Sequence, residues 1–386
     1  VERLQAEVTG ALKRKPVGEA RLAGVVRALA PYSSELRGGL VTALETLTGR
    51  GSYTRPLYAS CARSLAEAGE KKVVASLTRA LSRDEGGCLA TLSAACFMDD
   101  DGLTDSLAKV AISRHPHLAF AAEVARIARR ESDGEHIASL APKIKESHRI
   151  ELCSEVFVPL REARALPTGI APALAVLRDS ERHLGRWLVL AEIATRASDP
   201  GPRREARERA ASGPSSARAA WSMVCWALAD GETPPDLRPT VELVARLSDR
   251  PSSDRDTTFL YRLAEARAPS ARAMLESFVK STSLGNDAAI RAALYLARDH
   301  GRADLLEALA DVAANPKREA LRGLAVAALY DAGSRPRAQE IAEGLGSSRS
   351  LTTLAWGGLV RAARGGKDDV VVTESNYRRL QLGWAE

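Results

Sequence analysis

Apolar residues along this chain recur three and four positions apart in short runs, the spacing that lines one face of an α-helix. The clearest run reads Ala288-Ala289-Ile290-Arg291-Ala292-Ala293-Leu294-Tyr295-Leu296-Ala297-Arg298, and after a turn a second follows from Asp304 to Val312. Asn315-Pro316 closes that second helix, because Pro has no backbone N–H to continue it, and a third begins at Arg318 in the same register. Between such runs stand Asp and Gly pairs: Asp101-Gly102, Asp133-Gly134, Asp230-Gly231 and, with one residue between them, Asp199-Pro200-Gly201, Asp299-His300-Gly301 and Asp331-Ala332-Gly333. Gly takes the left-handed backbone that ends one helix, and Asp tightens the turn into the next.

The turns are periodic. Gly69 to Gly102 spans 33 residues, Gly102 to Gly134 spans 32, Gly134 to Gly169 spans 35, and Gly301 to Gly333 and Gly333 to Gly365 span 32 each. The series stretches once, between Gly231 and Ala268. From Ser33 to Gly365 this makes roughly ten periods of about 33 residues, each with room for two helices and two short loops. A single period exposes too much apolar face to stand alone, and stacking its neighbours buries that face. The expected fold is therefore all-α, a right-handed α-solenoid or superhelix of about ten helix pairs over residues 1–368, with a tail or cap over 369–386.

The middle of the array is irregular. Pro159, Pro167 and Pro172 interrupt one period, and residues 198–256 read as an irregular region or hinge containing the loop stretches Gly231 to Asp236 and Asp249 to Asp256. A two-domain reading cuts between Ser198 and Pro214, whereas the periodicity on both sides favours one curved array. In the tail, Val370-Val371-Val372 has strand character, and Tyr377 to Trp384 is a short amphipathic piece placed to cap the last repeat.

The pattern Arg-x3-Ala-x-x-Leu, an Asp/Gly turn, then a Leu-x-x-Leu helix resembles the HEAT-like repeats of phycobilisome-lyase type, with copies at Ile290 to Val312, Leu321 to Leu345 and Leu57 to Leu81. The resemblance spans most of the chain. It implies an α-solenoid but no single activity, since scaffolds, adaptors, lyases and a few DNA glycosylases share the repeat.

Composition agrees with closely spaced helices: 45% of residues are hydrophobic but only 4% aromatic, so Ala, Leu and Val carry the burial. Charged residues, 27% of the chain, are interleaved at helical spacing and not gathered into tails. A net charge of +6 is a mild bias. Of the 55 basic residues ten are Lys and 45 Arg, a preference that either phosphate and carboxylate recognition or GC-rich coding explains. Cys61, Cys88, Cys96, Cys153 and Cys225 are scattered and mostly sit in apolar runs, which predicts small buried hydrophobes and a reducing, cytoplasmic setting. The longest uncharged apolar stretch, Ala219 to Ala229, is too short to span a membrane. Val1 reads as a trimmed or engineered start, which leaves open an export signal or anchor ahead of it.

Candidate chemistry is sparse. The sequence has no phosphate loop, nucleophile elbow, paired-Cys zinc spacing or His-Glu-x-x-His, so no catalytic residue, metal or cofactor is expected. Asp99, Asp100 and Asp101 with His115 and His117 come nearest to a metal set, but the Asp run holds an ordinary turn position and His115-Pro116-His117 reads as a helix boundary. Arg186, Trp187, Arg218 and Trp221, with Trp226, concentrate a scarce residue type in adjacent periods; core packing explains them, and a partner-binding groove is the alternative. Arg203 to Arg209, with Glu205 and Glu208 interleaved, reads as a solvated helix laced by ion pairs. The expectation is a non-enzymatic scaffold or adaptor whose concave face takes another protein or peptide segment. A nucleic-acid-binding, DNA glycosylase-like protein is the first alternative, and a lyase-like or chaperone-like accessory the second.

Overall fold

The computed structural model describes residues 2–13, 19–83, 88–163, 166, 170–212, 221, 224–225, 228, 269–363 and 371–381. Among them every regular element is helical, and none is long and apolar enough to cross a membrane. The stretches Gly231 to Asp236 and Asp249 to Asp256, and the turn residues Gly169, Gly231, Ala268 and Gly365, lie outside the described residues.

The helices fall into two compact units, residues 1–199 with 374–386 and residues 200–373, divided within the stretch where the two-domain reading cuts. Unit 1 begins with α1 (Glu2–Lys13), α2 (Glu19–Leu29), α3 (Ser34–Gly49), α4 (Pro56–Glu67), α5 (Val74–Leu81), α6 (Cys88–Ala95), α7 (Thr104–Ala111) and α8 (Pro116–Ala128). Here α2, α4, α6 and α8 pack each on the next in one row, α1, α3, α5 and α7 do the same in a second, and successive members join the rows. Helices of the first row meet neighbours on several sides. Every residue of α4 from Leu57 to Ala66 is buried, and the small side chains Ala59, Ser60, Cys61 and Ala62 let its neighbours approach closely.

Unit 1 continues with α9 (Ile137–Leu140), α10 (Glu146–Leu152), a π-helical turn over Cys153–Phe157 that runs into α11 (Val158–Glu162), then α12 (Ala171–Asp179) and α13 (Leu184–Arg196). Unit 2 contains α14 (Gly201–Ser212), α15 (Pro269–Thr282), α16 (Asp287–His300), α17 (Asp304–Ala314), α18 (Glu319–Asp331), α19 (Arg335–Gly344) and α20 (Leu351–Ala362). In it α16, α18 and α20 repeat the buried row. They come so close that a Cβ on Gly323 would lie 2.6 Å from the Thr353 Cα. The last helix, α21 (Glu374–Gln381), belongs to unit 1 and packs on α2 and α11.

Local chemistry sets the helix ends. Gly69, Gly134, Gly301 and Gly333 all have positive φ, and Gly301 caps α16 through its N–H to the Leu296 carbonyl. The Ser33, Asn286 and Ser350 side chains accept hydrogen bonds from the amides of Leu36, Ala289 and Thr353 at the starts of α3, α16 and α20. Gly102 lies instead in a 3₁₀ turn held by the Asp100 carboxylate.

The arginines join one period to another. Arg55 donates to the Ala11 carbonyl and grips Glu19, Arg129 to the Met98 and Asp100 carbonyls, Arg196 to the Arg161 and Ala163 carbonyls, and Arg318 to the Ser283 and Leu284 carbonyls. These partners stand 29 to 44 residues back, near the ends of earlier helices, where carbonyls lack intrahelical donors and carry the negative end of the dipole. A guanidinium reaches two such oxygens at once. Arg129→Lys is therefore expected to destabilise unit 1 by about 1–3 kcal/mol, because an ammonium does not reproduce the fork and leaves a buried carbonyl unsatisfied; the shift in urea midpoint measures it.

Val371 and Val372 form no strand. Their amides donate to the Asp331 carboxylate at 2.8 and 2.6 Å, and this side-chain acceptor takes the place of a partner strand. Burial pushes the Asp331 carboxyl up to about 6 against the pull of those amides. The folded state then binds the proton more tightly than the unfolded chain. This group's contribution is most favourable below about pH 4 and declines as pH rises to about 6, by on the order of 2–3 kcal/mol. Asp331→Asn is expected to abolish that part of the pH dependence, read as the difference in unfolding midpoint between the two proteins at pH 4 and pH 7.

Candidate functional site

Of the residues expected to bind a partner, Arg186 and Trp187 lie on α13 of unit 1 and Trp221 in unit 2, while Arg218, like Trp226, lies outside the described residues. Trp187 is 1% exposed and belongs to the core of unit 1. Arg186 pairs with Glu181 at 2.9 Å and with Glu146. Burial raises the Glu181 carboxyl, but hydrogen bonds from Arg186 and the His183 amide outweigh it and hold the group below the usual range. Trp221 is half-buried, with the Arg209 guanidinium 4.6 Å from its ring centroid. Arg209 also pairs with Glu205 one turn away along α14, as the interleaved charges predict.

The Asp run and the two histidines are not brought together as one ligand set. Asp100 caps the 3₁₀ turn, and the Arg129 fork closes on the carbonyls beside it. The His115 Nε2 accepts from Arg114, while the ring of His117 stacks on that of His148. Cys61 and Cys96 are fully buried, which pushes their thiols up to about 12, so neither supplies a thiolate at neutral pH.

The most developed recognition geometry in unit 1 is the seat of α21, which sequence reasoning did not find. Asn376, Tyr377, Arg379 and Leu380 are all buried there. The Arg379 guanidinium donates to the Arg27 carbonyl on α2 at 3.1 Å and pairs with Glu67 at the end of α4, also at 3.1 Å. Gly24 on α2 makes the close approach possible, since a Cβ there would lie 2.2 Å from the Arg379 carbonyl oxygen. One helix is thus read by an apolar contact, a buried charge pair and a glycine floor. The amphipathic spacing from Tyr377 onward marked the helix, but nothing local pointed to Gly24, Arg27 or Glu67.

Unit 2 carries a shallow open cleft of about 400 Å³, lined by Lys280, Leu305, Asp311 and Arg318 among others. Arg318 is held there by the Ser283 and Leu284 carbonyls. No protein-family model, curated protein or solved structure matches the chain.

Proposed function

We propose that this chain is a non-enzymatic protein-binding scaffold or adaptor, a HEAT-like α-solenoid whose stacked helices take up a helical segment of a partner. The observation that carries this reading is the seat of α21, where α2, α4 and α11 receive a short helix by features that select its side chains: burial of Tyr377 and Leu380, Glu67 for an arginine, and Gly24 for close backbone approach. The two rows of helices and the glycine turns at the repeat period support the solenoid part of the reading. Many arginines are engaged with helix-end carbonyls and carboxylates inside each unit, which weighs against a phosphate-tracking surface.

The test uses the full chain carrying Tyr377→Ala and Arg379→Ala, which empties the seat, with its helical content checked by circular dichroism. A fluorescent peptide of residues 374–386 is expected to bind this variant saturably, and the wild-type chain about tenfold or more weakly because its own helix fills the seat. Adding Gly24→Ala to the variant should abolish peptide binding. Failure of the peptide to bind the folded variant would remove the support for the adaptor reading. Tighter binding of a short DNA duplex, falling steeply with salt, would favour the nucleic-acid reading instead.

A further inference from the structure

We propose that His117, His148 and Glu151 form a binding site for a divalent transition-metal ion of the zinc class. The two histidines come from different helices. His117 opens α8 just after Pro116, and His148 and Glu151 stand three residues apart on one face of α10, which packs against α8. One ligating atom from each of the three lies within 4.8 Å of the others. The His117 and His148 rings stack with centroids 3.9 Å apart and planes inclined by 27°.

The donor set selects the ligand. Two imidazole nitrogens and one carboxylate oxygen suit zinc and its neighbours, whereas calcium and magnesium demand oxygen ligands and an anion would meet the Glu151 carboxylate. In a tetrahedral site with bonds of about 2.0–2.1 Å the ligand atoms stand about 3.3 Å apart, so the three groups need to close by on the order of 1.5 Å. His148 is half-buried and Glu151 exposed, and neither side chain makes a hydrogen bond or ion pair with another described residue. Rotation of these two side chains therefore closes the set without breaking a hydrogen bond, giving up only the stacking of His148 on His117. The neighbouring cation on α10, Arg149, is drawn away to the Ile144 and Ala141 carbonyls and to Ser180. Three protein ligands leave one tetrahedral position to water.

The probe is Zn²⁺ alone, titrated calorimetrically into the metal-stripped full chain in a non-coordinating buffer. One ion per chain is expected, with His148→Ala and Glu151→Gln each weakening binding by about tenfold or more, and His115→Ala leaving it unchanged. His148 and Glu151 carry the test because His117 is buried and its replacement risks the fold. Co²⁺ in place of Zn²⁺ should give visible bands of a nitrogen and oxygen site without a thiolate charge-transfer band. Absence of stoichiometric binding, binding that survives both substitutions, or a thiolate band would each overturn the proposal.

Discussion

Gly24→Ala is expected to expel α21 from unit 1. In an ordinary helix interior this substitution stabilises by roughly 1 kcal/mol, because Ala is the better helix former. At Gly24 the new methyl would stand 2.2 Å from the Arg379 carbonyl oxygen and 3.3 Å from its carbon. Real Cβ contacts do not come this close, and the obstruction is backbone, which cannot rotate aside as a side-chain tip does. α2 is held by α1, α4 and the rest of its row, so α21 yields. Undocking exposes Tyr377 and Leu380, worth about 1.5–3 kcal/mol each when buried, and strips Glu67 of its partner. Hydrogen exchange read peptide by peptide should show protection lost across residues 374–381 and kept in α4 and α8. Unchanged protection in α21 would mean that the helix does not sit against Gly24.

Trp187→Ala is expected to destabilise unit 1 by about 3–5 kcal/mol, against the 5–15 kcal/mol that holds a typical domain folded. The indole is 1% exposed, on a helix where Val189, Leu190, Ala191, Ile193 and Ala194 are also buried. Deleting it removes the transfer free energy of the largest apolar side chain and leaves a cavity that packed helices close only in part. Trp187→Phe keeps an aromatic ring in the site and should lose markedly less. Urea unfolding followed by far-ultraviolet circular dichroism gives the comparison, and an unmoved midpoint for Trp187→Ala would contradict the packing described. Any loss of partner binding in this variant would report unfolding of unit 1, so the proposed seat is better tested through the buried pair of Glu67 and Arg379.

The pattern of residues along the chain determined that the described elements are helical and marked several of their ends, because those features rest on contacts within a few positions. An apolar stripe three and four apart makes a face, Ser33, Asn286 and Ser350 cap the amides just after them, and Gly69, Gly134, Gly301 and Gly333 take a backbone conformation that other residues resist. Burial of Cys61, Cys96 and Cys225 was legible for the same reason, from the apolar runs around them, whereas Cys153 is only half-buried and the Cys88 side chain lies outside the described residues. Composition told how many arginines there are but not what they hold. Their targets are carbonyls a full period away, and a carbonyl has the same chemistry at every residue, so it leaves no mark in the sequence.

Tertiary structure alone decided the rest. The strand character of Val371 and Val372 yielded to Asp331, 40 residues earlier, whose carboxylate meets their amides. Tyr377 onward was visibly amphipathic, yet its seat depends on Arg27, 352 residues from Arg379, and on the absence of a side chain at Gly24. His115-Pro116-His117 read as a helix boundary, as it is, but nothing near it in sequence marked the imidazole of His148 on another helix that stacks on His117. Helix faces are set by local periodicity, but which faces meet is set by how whole helices pack, and side chains far apart in sequence are joined only by that packing.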